Sequence, residues 1–226
     1  MCGRYEVHSP VEEIARQFDA TLIDPAEDLP PRYNVAPSLK VPVVRFRHER
    51  RELAALSWGL LPSWAKNPKM HRPINARAET LFDKPSFRNA IARRRCLIPA
   101  DGFYEWQERA SGKQPWHISM IDKRTFAFGG IWEYWAQADV LPVLSCAIIV
   151  TEANALLAKI YERMPVIIAR EDYERWLDPE LSDPTEIQKM LVPYPADEMQ
   201  AYPVGLQINN ARNEGPELAT PAQIGE

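Results

Sequence analysis

The chain has 226 residues, a formal net charge of −4 and 26% charged residues, so it can bury a sizeable core and carries no global excess of cations. Its three cysteines, Cys2, Cys96 and Cys146, form no CxxC spacing, which argues against a disulfide framework or structural zinc and for a reducing compartment. No secretory signal and no run of roughly 20 apolar residues is present, so a soluble, cytoplasmic protein without a membrane partner, cofactor or metal is expected.

In chain order, "SPVEEIARQF" predicts a helix, with Ser9 as its cap, Pro10 in the first turn and Glu12 closing a capping box on Ser9. "DPAEDLPPRYNVAPS" reads as a proline-punctuated loop, and "LKVPVVRFRHERRELAALSWG" as two strands around a polar turn. "SFRNAIARRR" predicts a helix. The candidate strands that follow are "CLIPA", "GFYEW", "PWHISMI", "TFAFGGIW", "LSCAIIVT" and "MPVIIA", with late helices at "REDYERWL" and "PTEIQKML". Short helices between many β-rich segments, without an internal repeat, predict one α+β domain over residues 1–226. Its sheet is expected to be twisted, barrel-like and mostly antiparallel.

Charge is uneven. From Trp64 to Arg95 there are nine cations (Lys66, Lys69, Arg72, Arg77, Lys84, Arg88, Arg93, Arg94 and Arg95) against Glu79 and Asp83, with Trp64, Phe82 and Phe87 among them. Cations interleaved with aromatics suit single-stranded nucleic acid, where phosphates meet charge and bases stack on rings. On charge alone, a solvated helix face over core aromatics explains the same stretch.

Several residues carry possible chemistry. Removing Met1 would expose Cys2 as a 1,2-aminothiol, a pair that condenses with an aldehyde to an imine and then closes a thiazolidine ring. An α-amine with a pKa of roughly 7.7–8.0 is partly neutral near pH 7, and a cation such as Arg4 can favour the thiolate. Taken alone, Cys2 reads as an incidental residue in a frayed terminus rather than a reactive one. In "RPINARAET", Asn75, Arg77 and Glu79 alternate as on one strand face, where an amide can orient an amine and an arginine can clamp a phosphate. "PADGFYEW" sets Glu105 and Trp106 after a turn at Asp101–Gly102, and a partly buried carboxyl there suits acid–base work. Cys96 and Cys146 sit in apolar strand patterns and are expected to be buried and inert. The asparagines of "INNARNEGPEL", Asn209, Asn210 and Asn213, are expected to pin backbone.

Taken together and in order, "MCGRY", "RYNVAPS", "SWGLLPSW", "PINARAET", "CLIPADGFYEW", "GGIWEYW", "ANALLAKIYERMPVII" and "INNARNEGPEL" resemble the SOS response-associated peptidase (SRAP) family over nearly the whole chain. The resemblance implies that Met1 is removed, by autoproteolysis or an aminopeptidase. It further implies that Cys2 forms a thiazolidine with the ring-opened aldehyde of an abasic site in single-stranded DNA, shielding the lesion in the DNA damage (SOS) response. It assigns Asn75 to positioning the cysteine and Glu105 to acid–base work. Arg4, Arg77 and Arg163 match phosphate contacts, and Trp106 lies beside the lesion. The loops from Asn34 through Pro37 to Ser38 and from Leu61 to Trp64 match DNA-facing loops. A monomer, associated with the nucleoid when bound to DNA, is expected. One position departs from the family: Tyr161 stands where the motif carries histidine, and a phenol is a poor base near neutral pH. That predicts slower crosslinking or a crosslink harder to reverse, with His71 as a candidate substitute base. The alternatives on sequence are a cysteine-type peptidase acting in trans, which needs an activated thiol, a base and an oxyanion hole, and a noncatalytic single-strand binder.

Overall fold

A computed structural model describes residues 2–23, 26–138 and 140–223. The order of elements is β1 (Arg4–Val7), α1 (Val11–Gln17), β2 (Thr21–Leu22), β3 (Arg32–Val35), β4 (Lys40–Arg47), β5 (Arg50–Trp58), β6 (Asn75–Arg77), α2 (Arg88–Arg93), β7 (Arg95–Ala100), β8 (Gly102–Arg109), β9 (Gly112–Met120), β10 (Phe126–Gln137), β11 (Val140–Glu152), β12 (Arg163–Pro165), α3 (Tyr173–Leu177), α4 (Pro184–Gln188) and β13 (Met199–Pro203). Short 3-10 turns join several of them.

Two sheets share one core. In the first, the strand order is β13-β9-β8-β1-β3, all antiparallel. In the second, β11, β10, β7, β4 and β5 pair in succession, and β5 pairs back to β11 in parallel, which closes a five-stranded mixed barrel. Closure removes the open edges that a strand ladder otherwise presents. β12, β6 and β2 extend this barrel, the last two through parallel pairs. The α+β, barrel-like expectation is met. Its mostly antiparallel character is qualified by three parallel pairings, each between strands far apart in sequence, which local patterning does not encode.

Aromatic side chains lock the sheets together. Tyr5 of β1 meets Trp58 of β5 and Phe128 of β10 edge-on, at ring separations of 5.3 and 5.7 Å, and Phe103 of β8 meets Phe128 at 5.8 Å. Such contacts add about 0.5–1.5 kcal/mol each beyond area burial. The chain passes from one sheet to the other at Asp101, whose amide donates to the Glu6 carbonyl. The next residue must be glycine. A Cβ on Gly102 would lie 2.5 Å from His117 Nε2 and 2.7 Å from Glu6 Oε1, two side chains that bond each other at 2.8 Å.

Two local expectations are corrected. Helix α1 begins at Val11 without a side-chain cap. Ser9 Oγ instead donates to Asp101 Oδ1 at 2.8 Å, because the Asp101 carboxylate gathers the Ser9 amide, the His8 amide and the Thr125 hydroxyl at the sheet-to-sheet corner. The capping-box reading of Glu12 falls with it. The "DPAEDLPPRYNVAPS" stretch is not loop throughout, since Arg32–Val35 forms β3 and pairs with β1; Asp24 and Pro25 lie outside the described residues. The strand expected at "MPVIIA" is met only by Met164 and Pro165, in β12; the other strands and helices stand where the sequence places them, although α2, α3 and α4 have only 6, 5 and 5 residues. Helices that short draw their stability from packing, and Ile91, Trp176 and Ile187 supply it as fully buried anchors.

Candidate functional site

The N-terminal strand carries the first groups of the site inward. Cys2 is completely buried, next to the start of β1, and its Sγ lies 3.8 Å from the Arg4 carbonyl. Asn75, at the head of β6, donates from Nδ2 to the Cys2 carbonyl at 2.9 Å. Its Oδ1 is buried and has no hydrogen-bond donor among the described residues. β6 is held for this task by parallel pairing to β11, with Asn75 opposite Ile148. The amide therefore grips the backbone of Cys2 with one atom and keeps an acceptor free beside it.

Glu105 arrives from β8, the strand paired with β1 through Arg4 opposite Tyr104. It is 97% buried, since its exposure is 3%. Burial pushes its carboxyl above the ordinary glutamate range, because the charged form loses its water. Burial also pushes the Cys2 thiol far up, and the charge of Glu105 adds to that shift, so the two groups are electrostatically coupled. Burial thus shifts both groups, the Cys2 thiol and the Glu105 carboxyl, toward their protonated forms.

Around this pair the structure places the other candidates at the rim. Arg4 is half-buried and donates from Nη1 to Asn34 Oδ1 and to the Ile208 carbonyl, both at 3.1 Å. Trp106 is half-buried and donates from its indole nitrogen to Asn209 Oδ1 at 2.8 Å. Arg77 is exposed on β6. Arg163 is bonded to Glu79, and Arg77 adds its charge to that carboxylate. Desolvation works to raise the Glu79 carboxyl, but these cations together outweigh it and hold it below the usual range. Pro37 and Ser38 line a cleft of about 580 Å³ that also includes Trp58, Gly59, His71 and Asn75. Ser38 closes its turn at φ 75, a left-handed conformation that costs a non-glycine residue, and its amide is bonded to the Trp58 carbonyl at 2.8 Å. In the Leu61–Trp64 loop, Leu61 is buried against Trp135 while Trp64 stands 52% exposed, its indole nitrogen 3.2 Å from the Pro85 carbonyl.

Tyr161 is half-buried at the end of the 3-10 turn Leu157–Lys159, its amide bonded to the Leu157 carbonyl at 2.8 Å. That turn is tied to the strand of Glu105, because Gln107 Nε2 donates to the Lys159 carbonyl at 2.7 Å. It is also anchored by Asn154, whose Oδ1 accepts from the amides of Leu156 and Leu157.

Some expectations change. Asn34 has no exposed surface, so it offers nothing to DNA. Its amide is spent inside the protein, on Arg4 and on the carbonyls of Asn210 and Asn213 at 3.0 Å. Two cations of the basic stretch are also spent internally. Arg94 pairs with Glu133 at 2.8 Å, and Arg95 is buried and donates to the carbonyls of Ile91 and Trp176. Phe87 is core and Phe82 packs against it, leaving Trp64 as the exposed ring of that stretch. Asn210 and Asn213 pin backbone as expected, whereas the Asn209 side chain accepts from the Trp106 indole instead. Gln107 and Asn154 are site supports with no place in the sequence expectations, and of these two Asn154 has a readable signal, an Asx residue opening a helical turn. Cys96 and Cys146 are fully buried with raised thiols, as the apolar strand pattern implies.

Known proteins are similar to this chain over most of its length. The family SOS response associated peptidase (SRAP) matches residues 1–211. "Abasic site processing protein YoqW" of Bacillus subtilis is 42% identical over 220 residues, covering 96% of this chain and 98% of that protein. "Abasic site processing protein HMCES" of Gallus gallus is 31% identical, over 86% of this chain and 67% of its own. A crystal structure of a protein from Bacteroides thetaiotaomicron superposes with a TM-score of 0.88 at 29% identity, covering 98% of this chain and 100% of that one. The chain belongs to the SOS response-associated peptidase family.

Proposed function

We propose that this protein processes abasic sites by binding the damaged single strand and crosslinking it through Cys2. The reading is supported by relatives named for abasic-site processing. The observation that carries it is the buried trio: Asn75 holds the Cys2 backbone at 2.9 Å, and the buried Glu105 carboxyl, on the strand paired with β1, is felt electrostatically at the thiol. Hydrolysis of the Met1–Cys2 peptide bond frees the α-amine; Met1 itself lies outside the described residues. The free acceptor of Asn75 then suits that amine, orienting its lone pair. The ring-opened abasic sugar presents an aldehyde. The amine adds to it, water leaves as the C=N bond forms, and the thiol adds across that bond. A C–S bond is made as the S–H bond breaks, nitrogen keeps the one hydrogen left on it by water loss, the thiol proton returns to the carboxylate that protonated the departing hydroxyl, and the net loss is one water.

Glu105 supplies the proton traffic. Burial shifts its carboxyl toward the acid form, which suits it to donate a proton in opening the sugar and in expelling water, and the carboxylate left behind accepts the thiol proton. A carboxyl in that role replaces the thiolate activation that a trans-acting cysteine peptidase needs, and the thiol here is shifted away from ionisation. Arg77 and Arg163 face phosphates, and a phosphate displaces Glu79 from Arg163. Trp64, Pro37 and Ser38 contact bases. Tyr161 in place of histidine slows proton transfer in crosslink formation or reversal.

The test is a denaturing gel of protein mixed with a single-stranded oligonucleotide carrying one abasic site. A shifted band with the wild type, absent with C2A and with undamaged strand, is expected. A band that persists in C2A refutes the assignment.

A further inference from the structure

The C-terminal segment crosses directly behind the rim. Ile208 is fully buried against Tyr104, with Val204 and Leu218, so this part of the chain is anchored on the outer face of β8. From that anchor two consecutive residues reach the site. The Ile208 carbonyl accepts from Arg4, and Asn209 Oδ1 accepts from the Trp106 indole. The segment is closed on itself, since Asn213 Nδ2 donates to the Gln207 carbonyl at 2.9 Å. It is also tied to β3, where Glu214 accepts from the Tyr33 amide at 2.9 Å and from Arg32 at 3.1 Å.

We infer that residues 206–214 form a strap that presents the damaged strand with a fixed Arg4 and a fixed Trp106, and that Asn209 is the positioning residue for the indole. The inference rests on the crosslinking role proposed above. A half-buried tryptophan on a strand has several staggered orientations, and a bond at its only polar atom selects one of them. The ring then holds its stacking face in place before DNA arrives, which lowers the cost of ordering it on binding. Asn209 touches no reacting group and acts only through Trp106.

A double-mutant cycle tests this. Crosslinking rates on an abasic single strand are measured for the wild type, N209A, W106F and the double variant. Phenylalanine has no indole N–H, so Asn209 has nothing to hold in the W106F background. N209A is expected to slow the wild type roughly five-fold, about the worth of one hydrogen bond, and to add nothing to W106F. An equal loss in both backgrounds, or no loss in either, overturns the inference and leaves the crosslinking role standing. A second readout does not depend on that role. The Trp106 indole N–H is expected to exchange slowly with solvent in the wild type and in N209D, which keeps the acceptor, and fast in N209A. If the wild type forms no crosslink, the proposed function fails while indole exchange still decides the strap. Equal exchange in wild type and N209A overturns it.

Discussion

Cys2 and the pair Cys96 and Cys146 share one burial and differ in everything around it. All three thiols are wholly inaccessible and all are pushed up by desolvation. Cys96 lies in the barrel wall, its sulfur 3.0 Å from where a Cβ on Gly130 would sit, and its Trp-bonded carbonyl belongs to the strand ladder. Cys2 has an amide on its backbone, and the charge of a buried carboxyl, Glu105, acts on its thiol. Burial therefore does not tell a structural cysteine from a reactive one. The polar groups that share the burial do, because a buried amide and carboxyl are costly to keep unless they are used.

The largest test of that contrast is removal of each sulfur. C2A is expected to abolish crosslinking with little change in fold. C96A and C146A are expected to crosslink at wild-type rates while losing about 1–2 kcal/mol of stability from the barrel. Loss of crosslinking in C96A would break the comparison. Next in size, E105A should slow crosslinking by roughly 100-fold, the scale of general acid–base catalysis, while affinity for undamaged strand is kept. A parallel fall in affinity would make Glu105 structural. N75A should follow, with roughly ten-fold slower crosslinking from the lost grip on Cys2.

The raised pKa of Glu105 predicts two pH effects of known sign. The stability its neutral form contributes is complete below the unfolded-state value of roughly 4.3 and is lost as pH rises through the higher folded value. E105Q, which cannot ionise, should match the wild type in thermal midpoint at pH 4 and exceed it at pH 8. The crosslinking rate should rise with pH as the α-amine loses its proton and fall as Glu105 loses its own, and E105A should lack the falling limb. The smallest effects belong to the rim. R77A should weaken single-strand binding and reduce its salt slope by about 0.7, one phosphate contact's worth. Y161H should form and reverse the crosslink faster, and equal rates in both directions would remove Tyr161 from the chemistry.

Much of this was legible in sequence because it is local. Alternation gave β7 to β11, and Cys2, Asn75, Glu105 and Trp106 stood out through residue type and motif order. What was not legible required distance. The parallel pairing of β5 with β11 that closes the barrel joins Ser57 to Ser145, and no local pattern announces it. Ser9 has the residue type of a helix cap, which accepts from a backbone amide, but its hydroxyl instead donates to Asp101, which is remote in sequence and adjacent in space. Asn34 sat in a motif that suggested surface contact, and only the fold shows that its amide grips the strap. Arg94 and Arg95 counted toward a basic surface by charge alone, yet buried acceptors claim them.

Intact mass spectrometry of the purified protein, alone and after incubation with an abasic single strand, bears most directly on the role given to Cys2. A free protein lacking Met1 is expected, together with an adduct equal to that protein plus the oligonucleotide minus one water. An adduct that retains Met1, or one that forms equally in C2A, contradicts that role.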